Sequence, residues 1–275
     1  MWRNLIKVLA AGLLLAIIFI LGTNLLVPRN TANADAVETA NKLAATGNSA
    51  KSIEIYEQLI SQGVNDSVVF YNLGNVYYGI GDIGRAVANY NRAAKLDPRD
   101  PDIKTNLELA RSQITEPYVE NDSGLAGLMS GITDGWLSLN ETALIVLALW
   151  FLASLMMLGW RSIEQDDLRS GFKYAFVVAI LLLFLTGISL IGRVYSEQFE
   201  PEGVVVVPTI AVSSEPHDGF ATDLALSSGA EIRVSETMGH WARISASGDS
   251  KDSWIPLETV EMLTAISPAM SLTSS

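Results

Sequence analysis

Three long runs without a charged residue constrain this chain more than any other feature. They span residues 8–27, 142–160 and 174–192, which gives lengths of 20, 19 and 19. With a rise of about 1.5 Å per residue, a helix of about 20 residues crosses the roughly 30 Å hydrocarbon core of a bilayer. Helices in soluble proteins rarely stay uncharged for so long, so the second and third runs predict transmembrane helices at 142–160 and 174–192.

The first run allows two interpretations. Arg3 and Lys7 give it a positively charged start, and small residues over 32–36 provide candidate cleavage positions. Residues 1–30 are therefore either a cleaved signal peptide or an N-terminal membrane anchor. Since the run is longer than the roughly 7–15 apolar residues of a usual signal peptide, its length favours the anchor. The chain then has two to three transmembrane helices.

Charge predicts the orientation of these helices. The loop 161–173 contains three basic residues, whereas residues 116–141 contain five acidic residues and no basic one. Loops rich in Lys and Arg stay in the cytoplasm, so we expect this loop to be cytoplasmic. The regions 34–116 and 200–265 are then extracytoplasmic domains of a multi-pass plasma-membrane protein.

Two further segments connect or follow these domains. Residues 117–141 form a juxtamembrane linker, in which apolar residues recur at a helical spacing among several glycines. This linker is either an amphipathic helix in the membrane interface or a flexible connection. The tail 266–275 is predicted to be disordered.

Composition excludes several classes of function. The chain has no cysteine and only two histidines, so disulfides, thiolate sites and histidine clusters are not expected. Its net charge of −12 argues against nucleic acid as a partner, because phosphate binding needs a basic surface. No nucleophile–base pair, phosphate loop or metal-ligand spacing is visible. We therefore predict no catalytic, metal or cofactor site and no enzymatic activity.

Residues 34–116 repeat themselves at a spacing of 34. Gly47 and Gly81 are one period apart, and so are Tyr56 and Tyr90. A helical hairpin with this period is typical of stacked repeats. The second copy closely resembles the tetratricopeptide repeat (TPR) family, whose signature positions hold Phe70, Leu73, Gly74, Tyr77, Ala86, Tyr90, Ala93 and Pro98.

This resemblance implies an all-α TPR domain over 34–116, with a degenerate first copy and a closing helix over 100–113. It also implies a groove lined by the first helix of each repeat. The candidate peptide-binding residues of that groove are Asn41, Tyr71, Asn75 and Tyr78. The alternative is that the two tyrosines pack on neighbouring helices and that Asn75 is merely solvated. A stack usually needs about three repeats, so we expect the membrane, a partner or a second copy to stabilise this domain.

The pattern changes to short β-type runs after residue 193. They lie at 204–207, 231–234, 241–244, 253–255 and 260–263, and close spacing of this kind is typical of a small barrel. Their order resembles bacterial SH3-like domains and implies an all-β SH3-like barrel over 200–265. Trp241 and Trp254 form a candidate aromatic site, and the alternative is that both tryptophans belong to the core.

The order of parts resembles the Bat aerotolerance-operon family of bacterial membrane proteins, of the BatE-like type. The resemblance implies a non-enzymatic, membrane-anchored scaffold for protein–protein interaction in the cell envelope, with a role in stress or oxygen tolerance. The implied partners are envelope membrane proteins of the von Willebrand A type, together with membrane lipid. The alternative function is a tether or sensor that binds peptidoglycan through the SH3-like domain.

Overall fold

A computed structural model describes most of the chain, over residues 31–114, 136–163, 165–199, 201–217, 221–245 and 253–263. The predicted signal peptide or anchor over 1–30 and the predicted disordered tail over 266–275 lie outside the described residues, as does most of the linker. The chain divides into two compact units. One contains residues 140–190, and the other contains 34–139 together with 191–275.

The N-terminal part of the larger unit is helical. Its described helices are α1 (Thr31–Ala45), α2 (Ser49–Ser61), α3 (Ser67–Gly79), α4 (Ile83–Leu96) and α5 (Pro101–Arg111). Aspartates begin three of them, because the carboxylates of Asp66, Asp82 and Asp100 accept hydrogen bonds from backbone N–H groups of the first turn. The turns after α1 and α3 contain glycines with φ of 80° and 81°, at Gly47 and Gly81. The repeat is thus visible in the turns as well as in the helices.

Small residues bring the paired helices together. An added Cβ at Gly74 of α3 would lie 2.7 Å from the ring of Tyr90 of α4, so only glycine fits there. In the first copy, the hydroxyl of Ser52 donates to the carbonyl of Ala40 at 2.8 Å. Tyr56 and Tyr90 are 0% and 1% exposed. Full burial of such large side chains contributes about 1.5–3 kcal/mol each, which holds the hairpins closed.

The smaller unit contains most of two long apolar helices, α6 (Leu139–Ser162) and α7 (Asp166–Phe199). Both are long and apolar enough to cross a membrane, and they contain the predicted spans at 142–160 and 174–192. Many of their large apolar side chains are exposed, for example Phe184 at 63%. The connection is shorter than the predicted loop over 161–173, because α7 already begins at Asp166 and its first turns use polar residues.

The C-terminal part of the larger unit is a curled antiparallel sheet. Its strands are β1 (Glu202–Val205), β2 (Thr209–Ser213), β3 (Ala221–Ser227), β4 (Glu231–Met238), β5 (Trp241–Ser245), β6 (Ser253–Pro256) and β7 (Val260–Met262). The strand order is β3-β2-β6-β5-β4-β1-β7. Each of the five predicted β-type runs overlaps a strand, although β1 ends at Val205 and β7 ends at Met262. Strands β2 and β3 lie outside those runs, and β3 mixes small residues with Asp223.

The helical region packs against this sheet. Helix α4 contacts β1 and β7, and Val204 of β1 joins the same apolar core as Tyr56, Val87 and Tyr90. A separate core lies within the sheet and contains Val212, Val234 and Ile255, among others. The sequence analysis expected the membrane, a partner or a second copy to stabilise the repeats. In the structure the repeats pack against the sheet of the same chain, which the sequence analysis did not consider as a stabilising partner.

Candidate protein-interaction surface

The first helix of each hairpin carries an asparagine that accepts a hydrogen bond from a buried tyrosine. The hydroxyl of Tyr56 donates to Oδ1 of Asn41, and the hydroxyl of Tyr90 donates to Oδ1 of Asn75 at 2.7 Å. The two pairs are one repeat of 34 residues apart. Burial raises the pKa of both tyrosines, so the hydroxyls stay protonated and remain donors at neutral pH. These bonds fix the position of each asparagine on its helix.

Helix α5 and the turn after it bind the same face of α3. The side-chain amide of Asn106 donates to the hydroxyl of Tyr71 at 3.0 Å and to Oδ1 of Asn75 at 2.9 Å. Farther along, the amide of Gln113 donates to the hydroxyl of Tyr78 at 2.5 Å. The Oδ1 atom of Asn75 therefore accepts two hydrogen bonds within the fold.

The structure brings three of the four predicted groove residues onto one face of α3. Tyr71, Asn75 and Tyr78 are half-buried, while Asn41 lies on α1 and is exposed. The ring of Tyr71 lies 6.0 Å from that of Tyr90, centroid to centroid. The tyrosines thus pack on neighbouring helices and still present part of their surface. A side-chain amide of asparagine also has an NH2 group, which can donate to a bound backbone carbonyl.

The aromatic and amide side chains named above are uncharged. The half-buried or exposed residues considered are Asn41, Tyr71, Asn75, Tyr78, Asn106 and Gln113, together with Leu109 of α5 at 49% exposure. Sequence reasoning missed Asn106 and Gln113, which lie 35 residues after their tyrosine partners. The repeat spacing of 34 residues points to Thr105 and Ser112 instead, so it gives no signal for either residue. The surface offers aromatic rings, amides and an aliphatic side chain, which suit an uncharged peptide segment.

The two candidate tryptophans occupy different environments. Trp254 is 3% exposed, whereas Trp241 is half-buried. In the register of β5 and β6, Arg243 lies opposite Trp254 and Trp241 lies opposite Pro256. The guanidinium of Arg243 is 5.0 Å from the ring centroid of Trp254 and covers it. The pair therefore does not form an exposed platform of two rings.

Comparison with known families bears on the helices alone. The sequence profile of the TPR repeat family matches residues 74–110, which run from within α3 to the end of α5. The helical region is TPR-like. A comparison with curated proteins finds no match. Among the residues that the structure describes, no group of three or more His, Asp or Glu side chains is placed to hold a metal ion.

Proposed function

We propose that this protein is a membrane-anchored, non-enzymatic scaffold whose TPR-like region binds a segment of another protein. The observation that carries the proposal is the face of α3 and α5, on a region that matches TPR repeats. TPR repeats generally bind protein partners, and this face combines half-buried aromatic rings with fixed amides. Tyr71, Asn75 and Tyr78 carry no positive charge, which favours an uncharged segment over a free C-terminal carboxylate.

The anchor in this proposal is the pair α6 and α7. Both helices are long and apolar enough to span a bilayer. They lie in the chain between the TPR-like region and the sheet, which contact each other. Such contact requires both regions to lie on the same side of a membrane, and two crossings by α6 and α7 achieve this. Three basic residues lie between the two uncharged runs, at Arg161, Arg169 and Lys173, and they support an extracytoplasmic position for both regions.

The finer parts of the proposal depend on the resemblance to the Bat aerotolerance-operon family. On that basis the partners are envelope membrane proteins of the von Willebrand A type, the setting is the bacterial cell envelope and the role is stress or oxygen tolerance. The C-terminal sheet is proposed to be a variant of the SH3-like fold. The curled antiparallel sheet of short strands supports this assignment.

A photo-crosslinking experiment tests the interaction face in the full chain. A photo-reactive amino acid at the exposed Asn41 should crosslink to an envelope protein in intact cells. The matched control places it at Lys51, which is exposed on α2. We expect the Asn41 crosslink to fall at least fivefold in a Tyr78→Ala background, and the Lys51 position to give no such product. Equal crosslinking from both positions, unaffected by Tyr78→Ala, would reject this face as the binding site.

A further inference from the structure

Four basic residues of the TPR-like region face three glutamates of the sheet, and the longest of these contacts joins Arg85 to Glu261 at 3.8 Å. Lys95 of α4 lies 2.9 Å from a carboxylate oxygen of Glu202 on β1. Arg92 of the same helix pairs with Glu261 of β7 and also donates to the backbone carbonyl of Met262 at 2.7 Å. A bond to a backbone carbonyl fixes the distance between a helix and a strand more firmly than an ion pair alone.

The pair of Arg111 and Glu231 is the most enclosed. The Nη2 atom of Arg111, the last residue of α5, lies 2.9 Å and 3.0 Å from the two carboxylate oxygens of Glu231 on β4. The side chain of Glu231 is only 10% exposed, against 31% for that of Arg111. The amide of Asn91 on α4 donates to the same carboxylate. Glu231 thus connects two helices to one strand, and charge-assisted hydrogen bonds of this kind are stronger than neutral ones.

Apolar packing and a backbone bond continue between these ion pairs. Val204 of β1 is 0% exposed within the core of the helices. The N–H of Gly84, in the first turn of α4, donates to the hydroxyl of Ser228 at 3.1 Å. The first N–H groups of a helix have no partner within it, so the sheet satisfies one that Asp82 does not. The contact is therefore a continuous core with matched charges at its margin.

We infer that the sheet is the obligate stabilising partner of the TPR-like region and takes the place of the further repeats that the stack lacks. Two hairpins and one closing helix bury too little surface for a stable repeat array. The sheet contacts α4, whereas the predicted groove residues lie on α1 and α3. The outer side of α4 and the end of α5 are accordingly a recognition surface for an acidic β-sheet. This inference does not depend on the proposed external partner or on membrane insertion.

Charge reversal in the full-length chain, in detergent, tests the inference through amide hydrogen exchange. We expect Arg111→Glu to speed exchange at least tenfold across α3, α4 and α5, because loss of the sheet should loosen the whole stack. Exchange in the apolar helix α6 should stay unchanged and serves as an internal reference. The matched control is Lys51→Glu, which reverses one exposed charge on α2 and should change exchange less than twofold.

A second set of variants exchanges the two charges of the pair, so that an ion pair forms again with the positive charge on the sheet. Combining Arg111→Glu with Glu231→Arg should recover most of the lost protection, whereas Glu231→Arg alone should behave like Arg111→Glu. A parallel pair, Lys95→Glu with and without Glu202→Lys, repeats the comparison at a more exposed site. The inference is overturned if Arg111→Glu leaves exchange in α3 within twofold of the unchanged chain, or if the double variant is no better protected than the single ones.

Discussion

Gly84 lies where α4 meets the sheet. Its replacement by alanine should destabilise the protein if the sheet is packed against α4, and should stabilise the helix if it is not. An added Cβ would lie 2.6 Å from the carbonyl oxygen of Val205 and 3.0 Å from Cα of Val206. Both are backbone atoms, so no side-chain rotation relieves the overlap. To reach an ordinary contact of 3.4 Å, the strand has to move by about 0.8 Å relative to the helix.

Two opposing contributions determine how much Gly84→Ala changes the free energy of unfolding. Alanine is preferred over glycine within a helix by up to about 1 kcal/mol. Overpacking of a close contact costs about 1–3 kcal/mol. We therefore expect Gly84→Ala to reduce the free energy of unfolding by about 1 kcal/mol. Gly79→Ala is the control, because Gly79 ends α3, is exposed and has open space around its Cβ. It should leave stability unchanged or raise it by up to about 1 kcal/mol.

Thermal unfolding of the two full-length variants in detergent, followed by circular dichroism, measures this difference. For a folded unit of roughly 150 residues, a change of 1 kcal/mol shifts Tm by about 2–4 °C. Gly84→Ala should therefore melt about 2–8 °C below Gly79→Ala, because the two variants differ by about 1–2 kcal/mol. If Gly84→Ala melts at the same temperature as Gly79→Ala or above it, the sheet does not press on α4 and the reasoning fails.

Three further predictions concern the hydroxyl pairs, the topology and the sheet. Tyr90→Phe should lower the free energy of unfolding by about 0.5–1.5 kcal/mol, because it removes the hydrogen bond to Asn75. Tyr56→Phe should lower it less, because the acceptor Asn41 is exposed. Denaturant unfolding measures both changes, and equal losses would contradict this prediction. Single cysteines in the cysteine-free chain should react with an impermeant label in intact cells at Ser61 and Ser247 but not at Ser170, and protection at Ser247 would refute the topology. Finally, the detergent-solubilised chain should not sediment with purified sacculi, because Trp254 is buried. If the chain does sediment, and Trp241→Ala abolishes this, the result would support the peptidoglycan-binding alternative.

The sequence alone determined the local elements of this protein. The period of 34 residues, with its glycine turns and buried tyrosines, predicted the helical hairpins, because each hairpin forms from contacts close in sequence. The uncharged runs predicted α6 and α7, since length and apolarity can be read directly from the residues. Short apolar or alternating runs predicted five of the seven described strands, while β2 and β3 lay outside those runs.

Only the tertiary structure decided how these elements combine. The pairs Arg111–Glu231 and Arg92–Glu261 join residues 120 and 169 positions apart, and no local pattern distinguishes these charges from solvated ones. The position of Trp254 could not be read from local pattern either, because the guanidinium of Arg243 that lies over its ring comes from the adjacent strand. Repeats, helices and strands follow from periodicity, which is a property of neighbouring residues. The docking of the sheet on α4 follows from shape and charge on surfaces that the chain brings together only after it has folded.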